Sequence, residues 1–170
     1  MTKIIVIHGP AGVGKSTIAA RLRDEFDEPV ALISQDAIYN DMLGSDGIPA
    51  KVEAVKLVEL ILRQLSSDGF NIILEGVFRA EYFRPVFTRL NREFEITYIF
   101  LEANVEATVL RHAARPKHNH DFGEDKIREW HRSSEPFGFE NETIIMTDEH
   151  TSEDTFSLVQ SALNGDTPHE

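Results

Sequence analysis

The segment Gly9-Pro10-Ala11-Gly12-Val13-Gly14-Lys15-Ser16 restricts the fold of this chain more than any other. Glycines at 9, 12 and 14 open left-handed backbone conformations that strands and helices do not use, so the segment is a turn. Before it runs Lys3-Ile4-Ile5-Val6-Ile7-His8, β-branched and almost continuous, as strands buried on both faces of a parallel sheet are. After it the pattern turns helical, from about Lys15 to Phe26. The order of strand, glycine turn and helix has a physical use. Successive backbone N–H groups can face inward as an anion nest, and the helix N-terminus adds about half a positive charge at the same point. The eight residues fit G-x-x-x-x-G-K-[ST] without a gap. Lys15 is expected to carry its ammonium to the β- and γ-phosphates of a nucleoside triphosphate, and the Ser16 hydroxyl to take one position on Mg²⁺. Thr17, in the first turn of the helix, extends the same run. ATP and Mg²⁺ are the expected ligands.

Composition narrows the class. At 170 residues the chain suits one domain, expected over 1–163, with a frayed tail over 164–170. The absence of cysteine excludes disulfides, thiolate metal sites and a cysteine nucleophile. A net charge of −12 argues against a nucleic-acid partner, because it repels phosphate backbones. No apolar run approaches the ~20 residues that span a bilayer, and the start has no leader-like apolar region, so the expectation is a cytoplasmic protein without a membrane partner.

Strand-like runs alternate with amphipathic stretches, which predicts an α/β fold with a parallel sheet covered by helices. Val30–Ser34, Asn71–Glu75, Glu95–Leu101 and Thr143–Thr147 read as further strands. Residues 40–50, with two glycines, a proline and two aspartates, read as a surface loop. Val52, Val55, Val58, Leu62 and Leu65 mark the clearest helix, stopped by Ser67-Asp68-Gly69. Arg79–Asn91 is helical in pattern, with Pro85 expected to kink it or delay its start. Asn104 is a candidate N-cap for a helix through Ala113, and two more helices are expected around 126–134 and over Ser152–Leu163.

In open parallel sheets the chemistry sits just beyond the carboxyl ends of strands. Ser34-Gln35-Asp36 follows the second strand, where Asp36 would stand beside a γ-phosphate and accept the proton of an attacking hydroxyl. An aspartate opening the next helix as its N-cap is the structural alternative. Glu75, on the third strand's end, could hold Mg²⁺ through water, and Arg79 could grip an anionic group on the acceptor or a phosphoryl group in flight. Tyr39 joins Asp36, Glu75 and Arg79 as a candidate acceptor-site residue. Arg111 and Arg115, four apart on one helical face, are candidate catalytic arginines that would close over the γ-oxygens. Arg128 and Arg132 repeat the spacing with weaker claim, surface arginines being more often solvated. His112, His118 and His120 lack the paired spacing of a zinc site. Trp130 reads as a half-buried helix residue. Residues 147–151 follow the fifth strand, where an adenine could rest against backbone.

Taken together these residues resemble the small-molecule kinases of the P-loop NTPase superfamily, related to nucleoside and nucleotide kinases. The resemblance covers essentially the whole chain. It implies a three-layer fold, a five-stranded parallel sheet in the order 2-3-1-4-5, and a lid between strands four and five, here about 112–127. Leu74-Glu75-Gly76-Val77-Phe78-Arg79 is similar to the nucleotide-kinase pattern of an acidic residue, Gly, two bulky residues and Arg, though that pattern usually has aspartate first and proline before the arginine. Leu110-Arg111-His112-Ala113-Ala114-Arg115 is similar to the lid-entry Arg-x-x-x-Arg. Ser34-Gln35-Asp36, with Ile38-Tyr39 after it, resembles the strand-two aspartate of the chloramphenicol phosphotransferase and polynucleotide kinase families, which implies that Asp36 is the catalytic base.

The expected function is an ATP-dependent phosphotransferase acting on a hydroxyl of a small molecule. A nucleoside-monophosphate kinase would need several pocket arginines. A polynucleotide 5′-hydroxyl kinase sits poorly with the charge of −12. A nucleotide-driven switch or regulatory ATPase would be the alternative of another class, and the guanine-reading Asn-Lys-x-Asp is absent.

Overall fold

Five strands make one sheet, all parallel, in the order β2-β3-β1-β4-β5. The computed structural model describes residues 2–44, 47–114 and 123–165. Its elements are β1 (Ile4–His8), α1 (Lys15–Arg23), β2 (Val30–Ser34), a π-helical turn (Ala37–Met42), α2 (Ile48–Ser67), β3 (Asn71–Gly76), α3 (Ala80–Leu90), β4 (Ile96–Glu102), α4 (Val105–Ala113), α5 (Glu124–Arg132), β5 (Glu142–Met146) and α6 (Ser152–Leu163). The sheet order is the one the family resemblance implies. Among the described residues no helix is long and apolar enough to cross a membrane.

The two-residue period of a strand sorts β1 into two cores. Ile4 and Val6 face α2 and α3 and join Val58, Leu62, Phe83 and Phe87. Ile5 and Ile7 face the other way, toward Ile18 and Leu22 of α1 and Phe156 and Val159 of α6. β1 is therefore covered on both faces, which is why all five of its residues are buried and why its sequence does not alternate. Phe87 sits at the centre of an aromatic cluster, its ring 5.5 Å from Tyr98, 5.1 Å from Phe137, 6.1 Å from Phe83 and 6.2 Å from Phe78.

Two expectations need correction. α1 ends at Arg23, three residues before Phe26. The stretch 40–50 is not one loop: the π-helical turn runs to Met42, and α2 starts at Ile48 with Pro49 in its first turn, where a missing N–H costs nothing. Pro85 lies inside α3, which runs from Ala80 to Leu90, so of the two expected effects the late start does not occur. The burial of Phe83, Val86, Phe87 and Leu90 outweighs the hydrogen bond the proline removes. Asn104 caps α4 as expected, its side chain accepting from the Glu106 amide at 2.9 Å. The tail positions 166–170 lie outside the described residues.

A buried polar joint links the end of β1 to the start of β5. His8 Nε2 lies 2.6 Å from Glu142 Oε1, with side-chain exposures of 1% and 2%. The His8 ring stacks on Phe137 at 4.1 Å and 12°. Burial pushes the imidazole below its ordinary value of 6.5; the Glu142 carboxylate pulls the other way and Lys15 adds to the lowering. For Glu142 burial favours the neutral acid, but hydrogen bonds from His8 and from the Phe137 and Gly138 amides prevail and hold the carboxyl below its ordinary value.

Two expected outcomes follow from this packing. Phe87→Ala should cost about 3–5 kcal/mol by chemical denaturation, whereas Leu60→Ala on the exposed side of α2 should stay within about 0.5 kcal/mol. The unfolded chain takes a proton at His8 near pH 6.5 that the folded chain refuses until lower pH, so stability drains as pH falls below 6.5. The melting-temperature gap between the wild type and His8→Gln, which cannot titrate, should therefore narrow between pH 7.5 and pH 5.5.

Candidate functional site

The turn out of β1 is shaped by its glycines. Gly9 has φ +139°, and a Cβ there would lie 2.0 Å from the Leu101 carbonyl oxygen on β4. No side chain fits that approach. Gly12 (φ +85°) and Gly14 (φ +98°) complete the reversal, and Gly14 is the N-cap of α1 without any side-chain capping bond. The first amides of α1 are thus left to a ligand rather than to a cap, the arrangement an anion needs. Lys15 is only 7% exposed, and its ammonium donates to the Pro10 carbonyl at 2.7 Å, which folds the side chain back across the turn.

Ser16 faces β3. Its hydroxyl donates to Glu75 Oε2 at 3.1 Å, and Glu75 is buried. The sequence separates these two residues by 59 positions; the sheet brings them together because β3 lies beside β1, with Glu75 in register with Ile7. A hydroxyl and a carboxylate are hard oxygen donors, the kind that suits Mg²⁺ shared with phosphate oxygens and water. The donor set therefore fits the expected ion, and no cluster of three or more His, Cys, Asp or Glu suited to another metal occurs among the described residues. Gly76 follows because a Cβ there would lie 2.5 Å from that of Gln35.

β2 pairs with β3 so that Ser34 lies opposite Glu75. Asp36 is therefore two residues past the strand position facing Glu75. It is exposed, and although it stands at the N-cap of the π-helical turn, its side chain makes no capping hydrogen bond. Tyr39 is half-buried, with its hydroxyl accepting from Gln35 Nε2 at 3.3 Å. Burial raises its phenol above the ordinary value, the Gln35 bond and Arg79 oppose this, and Tyr82 and Asp36 add to the rise. Asp36, Tyr39, Tyr82 and Arg79 thus share one electrostatic neighbourhood. Arg79 is the N-cap of α3, partly exposed, and its contact with Glu81 is loose at 3.9 Å.

Arg111 lies elsewhere. Its Nη1 and Nη2 donate to the Thr147 hydroxyl and carbonyl at 2.9 and 2.8 Å, fixing the guanidinium after β5. It lines a cavity of about 320 Å³ with Gly12, Gly14, Thr17, Thr147 and His150. The lining of this cavity includes Thr17 but neither Ser16 nor Glu75. Arg115, His118 and His120, with half of the expected lid, lie outside the described residues. Arg128 is taken up by bidentate bonds to Glu106 and a bond to Glu124, and Arg132 is exposed on α5. Trp130 is half-buried, as expected. Sequence reasoning missed Gln35 as the partner of Tyr39 and missed the His8–Glu142 joint; the spacing of 134 residues in the latter gives no local signal. The larger cavity, about 580 Å³ around Asn91–Ile96 and Phe139–Asn141, is at the opposite end of the sheet and holds none of the residues above.

Solved structures share this fold at low identity. A sugar kinase from Janibacter sp. HTCC2649 superposes with a TM-score of 0.77 at 17% identity, covering 99% of this chain and 100% of that one. A gluconokinase from Sinorhizobium meliloti 1021 gives 0.68 at 16% identity, with 96% and 90% covered. The tunicamycin resistance protein of Deinococcus radiodurans gives 0.69 at 15% identity, with 98% of each chain covered. No curated protein matches the sequence significantly. A family model described as an AAA domain (AAA_33) matches residues 4–137, from the first residue of β1 to the phenylalanine stacked on His8, and the chain belongs to that family of P-loop kinases.

Proposed function

We propose that the chain is an ATP-dependent kinase that moves the γ-phosphoryl group to a hydroxyl of a small molecule. The observation that carries this reading is the meeting of three strand ends at one edge of the sheet. The phosphate turn leaves β1, the Ser16–Glu75 pair ties α1 to β3, and the exposed Asp36 carboxylate follows β2.

In this scheme the turn from Gly9 to Thr17 wraps the polyphosphate: the amides of Gly9, Ala11, Gly12, Val13, Gly14, Lys15, Ser16 and Thr17 supply the donors, Pro10, which has no N–H, holds the Lys15 side chain through its carbonyl, and the Lys15 ammonium neutralises charge between the β- and γ-groups. Ser16 directly and Glu75 through water would hold Mg²⁺, which supplies further neutralisation of the phosphate oxygens when bound. Asp36 accepts the proton of the acceptor hydroxyl as its oxygen bonds to the γ-phosphorus. The bond from that phosphorus to the β–γ bridging oxygen breaks, and ADP leaves with the electron pair. Arg79 holds an anionic group of the acceptor or the phosphoryl oxygens in transit, and Tyr39 forms part of the acceptor wall. Arg111, clamped on Thr147, lines the cavity that receives the nucleoside; neutralisation from the lid falls to Arg115. Closing that lid keeps water from taking the phosphoryl group.

The acceptor is found by a thermal-shift screen of sugars, sugar acids, nucleosides and antibiotics, run with Mg²⁺ and a non-hydrolysable ATP analogue. A bound acceptor raises the melting temperature by mass action, and mass spectrometry with ATP then shows an added phosphate. ATP hydrolysis indifferent to every hydroxyl compound and stimulated by a protein partner would instead mark a switch. With the acceptor in hand, Asp36→Asn should lower kcat by about 10²-fold or more and leave nucleotide affinity nearly intact. Lys15→Ala should weaken nucleotide binding and kcat together, as read by calorimetry and steady-state rates.

A further inference from the structure

Among the described residues outside the phosphate loop and the acceptor edge, His8 and Glu142 are the most deeply buried ion pair. Neither takes part in the scheme above. Their placement is what gives them meaning. His8 is the last residue of β1 and is bonded to Gly9, the first residue of the phosphate loop. Glu142 is the first residue of β5 and closes the segment that arrives from α5. Its carboxylate accepts from three donors: His8 Nε2 at 2.6 Å, the Phe137 amide at 3.0 Å and the Gly138 amide at 2.6 Å. A carboxylate only accepts, so the His8 proton sits on Nε2. Phe137 lies flat on the imidazole, and Phe100 meets it edge-on at 5.0 Å. Residues 137–142 thus form a small closed loop seated on one side chain of the central strand.

From that seat the chain reaches the phosphate loop in one direction and α5 in the other. Forward of His8, Gly9 is pressed against the Leu101 carbonyl and Pro10 receives the Lys15 ammonium, so the turn has little slack. Backward from Phe137, only residues 133–136 separate the seat from α5. α5 is itself held to the link after β4 by His131 on the Ala103 carbonyl at 2.8 Å and to α4 by Arg128 on Glu106. A fully buried hydrogen-bonded pair next to the nest is an expensive way to fill a core, since apolar residues of similar volume would serve as well or better.

We propose that His8 and Glu142 are a positioning pair: they lock the 137–142 loop onto the end of β1 and thereby set the resting geometry of the phosphate loop. The inference rests on the nucleotide-binding reading only for its functional consequence; the mechanical coupling itself belongs to the free protein. The two further groups that act electrostatically on the pair are Lys15 on His8 and the Tyr98 phenol facing Glu142.

The contrast between two uncharged replacements of His8 tests it. The glutamine Nε2 reaches where the imidazole Nε2 was, while asparagine is too short to meet Glu142. Amide hydrogen exchange on the free protein, far below each melting temperature, should show faster exchange in His8→Asn at residues 9–17 as well as 137–142, with both segments restored in His8→Gln. Calorimetry with Mg²⁺ and a non-hydrolysable ATP analogue at pH 7.5 should show affinity reduced about tenfold in His8→Asn and Glu142→Gln, within the usual range of coupling between two sites. His8→Gln should stay within about twofold of the wild type. Faster exchange confined to 137–142, or equal exchange in the two His8 variants, overturns the proposal. If His8→Asn does not fold, Glu142→Gln decides by the same exchange pattern at residues 9–17. Failure of the wild type to bind the analogue sinks the kinase reading alone, because the exchange pattern still tests the pair.

Discussion

Everything at the functional edge depends on the near-contact between Gly9 and the Leu101 carbonyl. β1 is the central strand, flanked by β3 and β4, so a chain leaving it must pass tightly over a neighbour before turning back into a helix. A Cβ at Gly9 would lie 2.0 Å from that oxygen. The close passage is what aims α1 at the sheet, and the aim decides which side chain meets which strand. Ser16 reaches Glu75 on one side, while Thr17 faces the cavity under Thr147 on the other. The phosphate loop is therefore less a loop than a backbone constraint imposed by sheet order, and the ligand-facing amides are its by-product.

The parts of the fold written in local periodicity were legible in the sequence. β1 declared itself by unbroken β-branched residues, α2 by its three- and four-residue steps, and α6 was placed to the residue. Errors came where tertiary packing overrode a local rule. Pro85 is a helix breaker by propensity, yet α3 buries Phe83, Val86, Phe87 and Leu90 and continues past it to Leu90. Gly, Pro and Asp between 40 and 50 speak for a loop, yet two helical elements close in on it from both ends.

The site divides in the same way. Gly9 to Ser16 could be recognised because consecutive residues perform the task. Glu75 and Asp36 could be suspected because strand ends are privileged positions in a parallel sheet. Arg111 shows what spacing leaves out: helical periodicity paired it with Arg115, and the crossing of α4 over the sheet adds two hydrogen bonds to Thr147 and a place on the cavity beside Gly12 and Gly14. His8 and Glu142 lie 134 residues apart, so only the sheet order, with β4 between them, could bring them together.

A polyphosphate must be held here against the charge of the chain as a whole. The net charge is −12, and surface arginines do little to offset it locally. Arg21 is bound to Glu153, Arg63 and Arg89 to Glu59, and Arg128 to Glu106 and Glu124. Pairs this exposed are screened and contribute little beyond their own neighbourhood. What remains for an anion is short in range: inward amides, a helix terminus and one nearly buried ammonium. Such a site gains little from long-range attraction, because the far field of an acidic protein pushes a tetra-anion away. A nucleotide that arrives with its charge already halved by a divalent cation would meet a smaller barrier, and in the proposed reading the hydroxyl and carboxylate at Ser16 and Glu75 would face that cation rather than the phosphate. On that reading an acidic surface and a hard-oxygen pair beside the nest are two halves of one electrostatic solution, which favours the metal complex over the free anion.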